Sequence, residues 1–218
     1  MGWAADNSAK TVGSLKDRNR WPLLFALMGN IAVFYVASKI NALTLDGVAD
    51  LIGGWRTWIP AGFAFLFTSV ANELVGSDGK ARLVFWRWNN PLPGSRAFSH
   101  YAKRDPRVDL RRLKDKFSPL PSKPNEQNAL WYRLYKSVEH HDAVVQVHRN
   151  YLFTRDYATA ALLLCATLGV AGLWTIASRR VSFLYLGLLA LQYLVVRIAA
   201  KNHGIRFVTT VLAIKASE

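Results

Sequence analysis

Residues Tyr157 to Ile176, YATAALLLCATLGVAGLWTI, are twenty consecutive positions without a charged side chain. At 1.5 Å per residue a helix of that length covers about 30 Å, the thickness of a bilayer's hydrocarbon core. Three further apolar blocks stand at Trp21 to Ile40, Trp58 to Val75 and Val181 to Ala200. The expectation is therefore an all-α integral membrane protein with four transmembrane helices. A small, mainly helical cytoplasmic domain is inserted between spans two and three.

The layout follows from these blocks. Residues 1–20 form a polar tail, and residues 21–75 a transmembrane hairpin with spans 21–40 and 58–75. Residues 76–156 form a basic domain, residues 157–200 a second hairpin with spans 157–176 and 181–200, and residues 201–218 a C-terminal tail. Within the link between the first two spans, Leu45, Val48, Ala49, Leu51 and Ile52 predict a short amphipathic helix on the membrane surface.

The polar segment NALWYRLYKSVEHHDAVVQVHRNYLFTRD runs directly into the third span. Leu130, Trp131, Leu134, Tyr135, Val138, His141, Val145 and His148 follow helical spacing. They predict one helix that starts in water near Asn128 and ends in lipid at Ile176. Upstream, KARLVFWRW reads as a short strand or an interfacial segment. Asp105-Pro106 signals a helix start for DPRVDLRRLKDKF. The tail from Ile205 to Ile214, rich in Val, Thr and Ile, predicts a strand that pairs with Leu83 to Trp88.

Net charge is +14, from 28 Lys and Arg against 14 acids. Such a balance suits nucleic acid or anionic lipid headgroups; the apolar blocks favour the lipid, with nucleic acid or a nucleotide second. Four spans put the N-terminal tail, the basic domain and the C-terminal group on one side. With Arg197 counted in the C-terminal group, these carry 4, 16 and 4 Lys and Arg, against Lys39, Arg56, Arg179 and Arg180 on the other. The positive-inside rule then predicts an inner (plasma) membrane protein with both termini cytoplasmic. The Arg179–Arg180 pair, in an outward turn, runs against it.

Chemistry is sparse. One cysteine, Cys165, excludes an internal disulfide, and no CxxC or His–Cys zinc pattern exists. No metal and no cofactor is expected. Arg104, Arg107, Arg111, Arg112 and Lys114 form a cluster suited to a phosphorylated or otherwise anionic partner. Asn30, Glu73 and Gln192 are polar positions in or beside the spans. Ala158, Ala161, Cys165, Gly169 and Gly172 make a small-residue stripe that lets helices approach closely, within a subunit or between subunits.

The segment RLYKSVEH, Arg133 to His140, resembles the Arg–His spacing of HEPN-type ribonucleases. That resemblance implies a general base and a phosphate clamp at an oligomer interface, with His141 and His148 as the further candidates. The overall layout, spans flanking a basic cytoplasmic domain, is similar to that of small membrane effectors in bacterial antiviral systems. The first functional reading is a non-enzymatic, homo-oligomeric membrane protein. Its basic domain senses or docks a signal or partner, and its helices respond, in one version by opening a pore. The alternative is an accessory or anchoring subunit of a larger membrane complex. A membrane-tethered nuclease or hydrolase stands third.

Overall fold

The computed structural model describes residues 15–39 and 55–218. The tail over residues 1–14 and the surface helix expected around Leu45 to Ile52 lie outside the described residues. The described chain is helical, with no strand among the described residues. Its helices are α1 (Leu15–Lys39), α2 (Trp55–Leu74), α3 (Ser77–Phe85), α4 (Leu110–Phe117), α5 (Pro124–Ser137), α6 (Asp142–Leu164), α7 (Val170–Thr175) and α8 (Arg179–Ser217). A 3₁₀ turn at Pro93–Arg96, a π turn at Ala97–Tyr101 and a short α turn at Ala102–Arg104 connect α3 to α4. A second π stretch, Cys165–Gly169, carries α6 into α7.

Three helical stretches among the described residues are long and apolar enough to cross a membrane: Asn19–Lys39, Asp142–Thr175 and Arg179–Ser217. They overlap the first, third and fourth expected spans. This is the content of a multi-pass membrane protein.

Two cores share one helical pair. Neighbours of the α6–α7 stretch and of α8 run in opposite order: Gly172 meets Tyr185, and Gly204 meets Tyr151. The stretch and α8 are therefore an antiparallel hairpin joined at Ile176–Ser178. One core gathers Leu27 and Phe34 of α1, Ala61 and Ala64 of α2, Leu164 of α6 and Leu189 of α8. The other packs α3, α4 and α5 onto the first half of α6 and the last third of α8, around Phe85, Leu113, Trp131, Val144 and Val208. We call this second body the cap. Phe207 is its hub: Trp131 and Tyr135 meet it edge-on at 5.1 and 5.2 Å, and His148 stacks on it at 4.5 Å.

Four sequence expectations are corrected here. The strand expected from Ile205 to Ile214 is the end of α8, and Leu83–Phe85, its expected pair, ends α3. The β-branched residues there are buried in the cap, so packing overrides a weak local preference. The single helix from Asn128 to Ile176 breaks at Val138–His141. His141 is extended and caps α6, its Nδ1 accepting from the amide of Ala143 at 3.3 Å. Asp142 then lies in the first turn, where a carboxylate favours the helix dipole. Finally, no helix starts at Asp105-Pro106. Asp105 closes a turn by accepting from the Arg107 amide at 3.1 Å, and α4 begins four residues later, capped by Asp109.

Candidate functional site

A cleft of about 460 Å³ opens on the cap between the π turn, the Asp105–Arg107 turn and α8. Its lining includes His100, Tyr101, Arg104, Arg107, Ile205 and Thr209. The sequence places its two walls about a hundred residues apart; the packing of α8 through the cap brings them together.

Arg107 is a structural clamp in this wall. Its Nε donates to Asp105 Oδ1 at 3.0 Å, and its Nη2 donates to Asp105 Oδ2 at 2.7 Å and to Thr209 Oγ1 at 3.0 Å. The paired guanidinium holds the Asp105 carboxyl well below the usual carboxylate range. The charge of Arg107 is thus largely answered by its neighbour. Arg104 is exposed and has no ion-pair partner among the described residues.

Two further polar residues line this region. Tyr101 is 4% exposed, and its hydroxyl has no hydrogen-bond partner among the described residues. Burial lowers the pKa of His100, and Arg104, Arg96 and Arg87 lower it further. The three arginines place positive charge around this imidazole. A cationic Arg104 and an imidazole close to three arginines suit an anion, and they offer no nucleophile with an activating base.

The predicted basic cluster divides. Arg104 and Arg107 line the cleft, whereas Arg111, Arg112 and Lys114 are exposed on α4. The Asp109 carboxylate accepts from the amides of Arg111 and Arg112 at 2.9 and 3.1 Å, which fixes the start of α4. Ile205 and Thr209 were missed by sequence reasoning, because the strand reading hid them.

The weak catalytic candidates do not converge. Arg133 is exposed on α5, which ends at Ser137, so Arg133 and His140 no longer share a helix. His140 is 96% exposed at the side chain and lies 3.8 Å from Glu139. His141 is a helix cap, and His148 is wedged against Phe207 with Nδ1 3.2 Å from the Tyr135 hydroxyl. No group of three His, Cys, Asp or Glu side chains among the described residues is placed to hold a metal ion. No family model, no curated protein and no solved structure matches this chain.

The polar positions of the spans lie apart. Asn30 donates to its own helix at Ala26 O, 2.8 Å away, and Gln192 donates to the Tyr157 hydroxyl across the α6–α8 pair. Glu73 lines a separate cavity beside α1 and α6. The small-residue stripe lies inside the subunit: Ala158 and Ala161 are buried, Cys165 is half-buried, and Gly169 and Gly172 sit against Leu186 and Tyr185 of α8. A Cβ on Gly169 would come within 2.7 Å of Leu186.

Proposed function

We propose that this is a non-enzymatic, four-span inner-membrane protein whose cytoplasmic cap receives an anionic partner and whose spans respond through α8. The observation that carries the reading is the continuity of α8. It runs 39 residues without a break, with Tyr185 and Leu189 in the core between the spans and Thr209 in the wall of the basic cleft. A helix is stiff over this length, so a shift at Thr209 is carried to the spans rather than absorbed in a hinge.

The fourth span of this reading is α2. It is 20 residues long, packs on α1 and α6, and turns Ile59, Phe63, Leu66, Val70 and Leu74 outward. An exposed apolar face of that extent suits lipid. The cytoplasmic orientation rests on the excess of Lys and Arg on the cap side. The pore version needs several copies, because four helices do not easily enclose a channel. Native mass in nanodiscs decides it: four or more copies support it, and a monomer removes it.

The exposed Arg111, Arg112 and Lys114 favour the second reading, a docking subunit, because they present charge away from the cleft. One experiment separates the two. Pyrophosphate binding is measured on the protein in phosphatidylcholine nanodiscs, with spin labels on α1 and α8 reporting the spans. We expect Arg104→Glu to weaken binding at least tenfold and to abolish the change in label distance, while Arg111→Glu with Arg112→Glu leaves both near wild type. Binding that is absent in the wild type, or unchanged by Arg104→Glu, contradicts the cleft as the input.

A further inference from the structure

Helix α3 runs level with the edge of the apolar spans. It begins at Ser77, three residues after Leu74, the last exposed apolar residue of α2. Near its middle, Lys80 donates to Asp156 at 3.0 Å, and Asp156 directly precedes the uncharged run of α6. At its end, Trp86 donates to the Tyr193 hydroxyl and lies under Arg197, the residue before Ile198, where the exposed apolar face of α8 stops. Tethers to three helices thus hold the nine residues of α3 across the ends of the spans rather than along them.

The exposed aromatics of the cap gather at the same level. Among the described residues, the large apolar side chains that the cap leaves exposed are Trp86 at 60%, Trp88 at 82% and Tyr132 at 50%. Trp86 stands beside Arg197, and so beside the outward strip of Leu194, Val195 and Ile198 on α8. Tyr132 lies elsewhere: its neighbour Tyr135 packs on Phe207, nine residues and about 14 Å beyond Ile198 along α8. The charges at the tryptophan end are Arg82, Arg87, Arg197 and Lys201, whereas the exposed acids Glu73 and Asp78 stand at the other end of α3. An indole left in water forgoes the gain of burial, and a bilayer interface takes the ring while leaving its N–H among polar groups.

We propose that the phospholipid headgroup layer on the cap side receives Trp86 and Trp88, so that α3 lies on the membrane surface and fixes the depth of the cap. This rests on the spans crossing a bilayer, and it adds the surface by which the cap meets the lipid. Arg197 lays its apolar stem beside Ile198 and keeps its charge at the headgroups, as long basic side chains do at a membrane edge. The exposed Arg82 and Lys201 face the lipid phosphates. The depth also sets the height of the basic cleft. Ile205, in the cleft wall, is seven residues and about 10 Å beyond Ile198, so the cleft opens to water and not to the acyl chains.

The test is the depth of nitroxide labels on the full chain in nanodiscs of phosphatidylcholine and phosphatidylglycerol. In a Cys165→Ala background, single labels are attached through Ser77→Cys, Trp88→Cys, Tyr132→Cys and Leu188→Cys. Collisions with oxygen, which enters lipid, are compared with collisions with a nickel chelate, which stays in water. The oxygen-to-nickel ratios at positions 77 and 88 should be similar, below that at 188 and about threefold or more above that at 132. A ratio at 88 no higher than at 132 overturns the proposal, because the cap then stands clear of the lipid. Exclusion of both reagents at 88 overturns it too, because another protein surface then covers the tryptophans. Position 188 keeps the two readings apart. A lipid-like ratio there with a water-like ratio at 88 sinks the placing of α3 alone, and a water-like ratio at 188 sinks the spans with it.

Discussion

The guanidinium carbon of Arg197 lies 3.5 Å from the centroid of the Trp86 ring. Trp86 ends α3 with φ 52 and ψ 47, a left-handed conformation that a bulky side chain adopts only under constraint. The constraint is visible: its Nε1 donates to the Tyr193 hydroxyl at 3.1 Å, and that hydroxyl donates to Leu83 O at 3.0 Å. The end of α3 is thereby fastened to α8 at the level where α8 last exposes a large apolar residue, Ile198. Trp86→Ala should destabilise the cap by about 2 kcal/mol, the sum of a cation–π contact and a hydrogen bond. Trp86→Gly should recover part of that loss, because glycine takes the left-handed conformation freely. Calorimetric melts of both variants in nanodiscs check this order, and equal melting of the two would contradict it.

Lys80 and Asp156 form a buried pair at 3.0 Å, with side-chain exposures of 4% and 9%. Burial lowers the pKa of Lys80, and Asp156 opposes that shift. Arg155 reaches the same carboxylate oxygen at 2.9 Å. Removing one partner strands a charge out of water, at a cost of about 3–5 kcal/mol. Asp156→Asn should therefore lower the melting temperature markedly, and adding Lys80→Met should restore most of the loss. A double variant no better than Asp156→Asn would show that the pair is not coupled.

Gly204 is where α8 passes closest to the cap. An added Cβ would meet Phe85 and Tyr151 at 2.9 Å. Overpacking of this kind costs about 1–3 kcal/mol, against a gain of about 1 kcal/mol in helix propensity. Gly204→Ala should be net destabilising. Gly29→Ala on α1, which has nothing within 4 Å, should be neutral or stabilising. Thermal melts of the two variants give the comparison, and the order Gly204 below Gly29 is the result to look for.

The Asp105–Arg107 clamp predicts an acid limb. The carboxyl of Asp105 titrates below its unfolded value of about 3.9, so its contribution is complete above that pH and is lost as pH falls toward the folded pKa. At pH 7 Asp105→Asn should melt lower than wild type. The gap should narrow steadily below about pH 4, where the carboxyl takes up a proton in the unfolded chain but not yet in the folded one. A gap that stays constant from pH 7 to pH 3 would assign the loss to something other than the ion pair.

The apolar helices were legible because runs of about twenty residues with at most one charge leave few options. The run from Tyr157 lies in α6 to α7, and the one from Val181 lies in α8. The cap was less legible for two reasons. Its helix breaks are decided by caps: His141 stops one helix and starts another, and Asp142 beside it was a usable start signal that the apolar stripe outweighed. Its longest element carries Val208, Thr209, Thr210 and Val211, which favour strands locally but are buried by α3, α5 and α6 in a helix. The cleft was half legible. Arg104 and Arg107 stood out as charges, while Ile205 and Thr209 gain a role only from where the fold puts them.

The most direct test of the four-span arrangement is the side on which Ser8 and Ser118 lie. Cys165 is the sole cysteine, so Cys165→Ala gives a clean background for Ser8→Cys, Ser118→Cys and Ser178→Cys. If α2 crosses the membrane, a maleimide that cannot pass the bilayer labels position 178 in intact cells and reaches positions 8 and 118 only after permeabilisation. If α2 does not cross, positions 8 and 118 label from opposite sides, and both the four-span account and the shared cytoplasmic face of the cap and N-terminus fail.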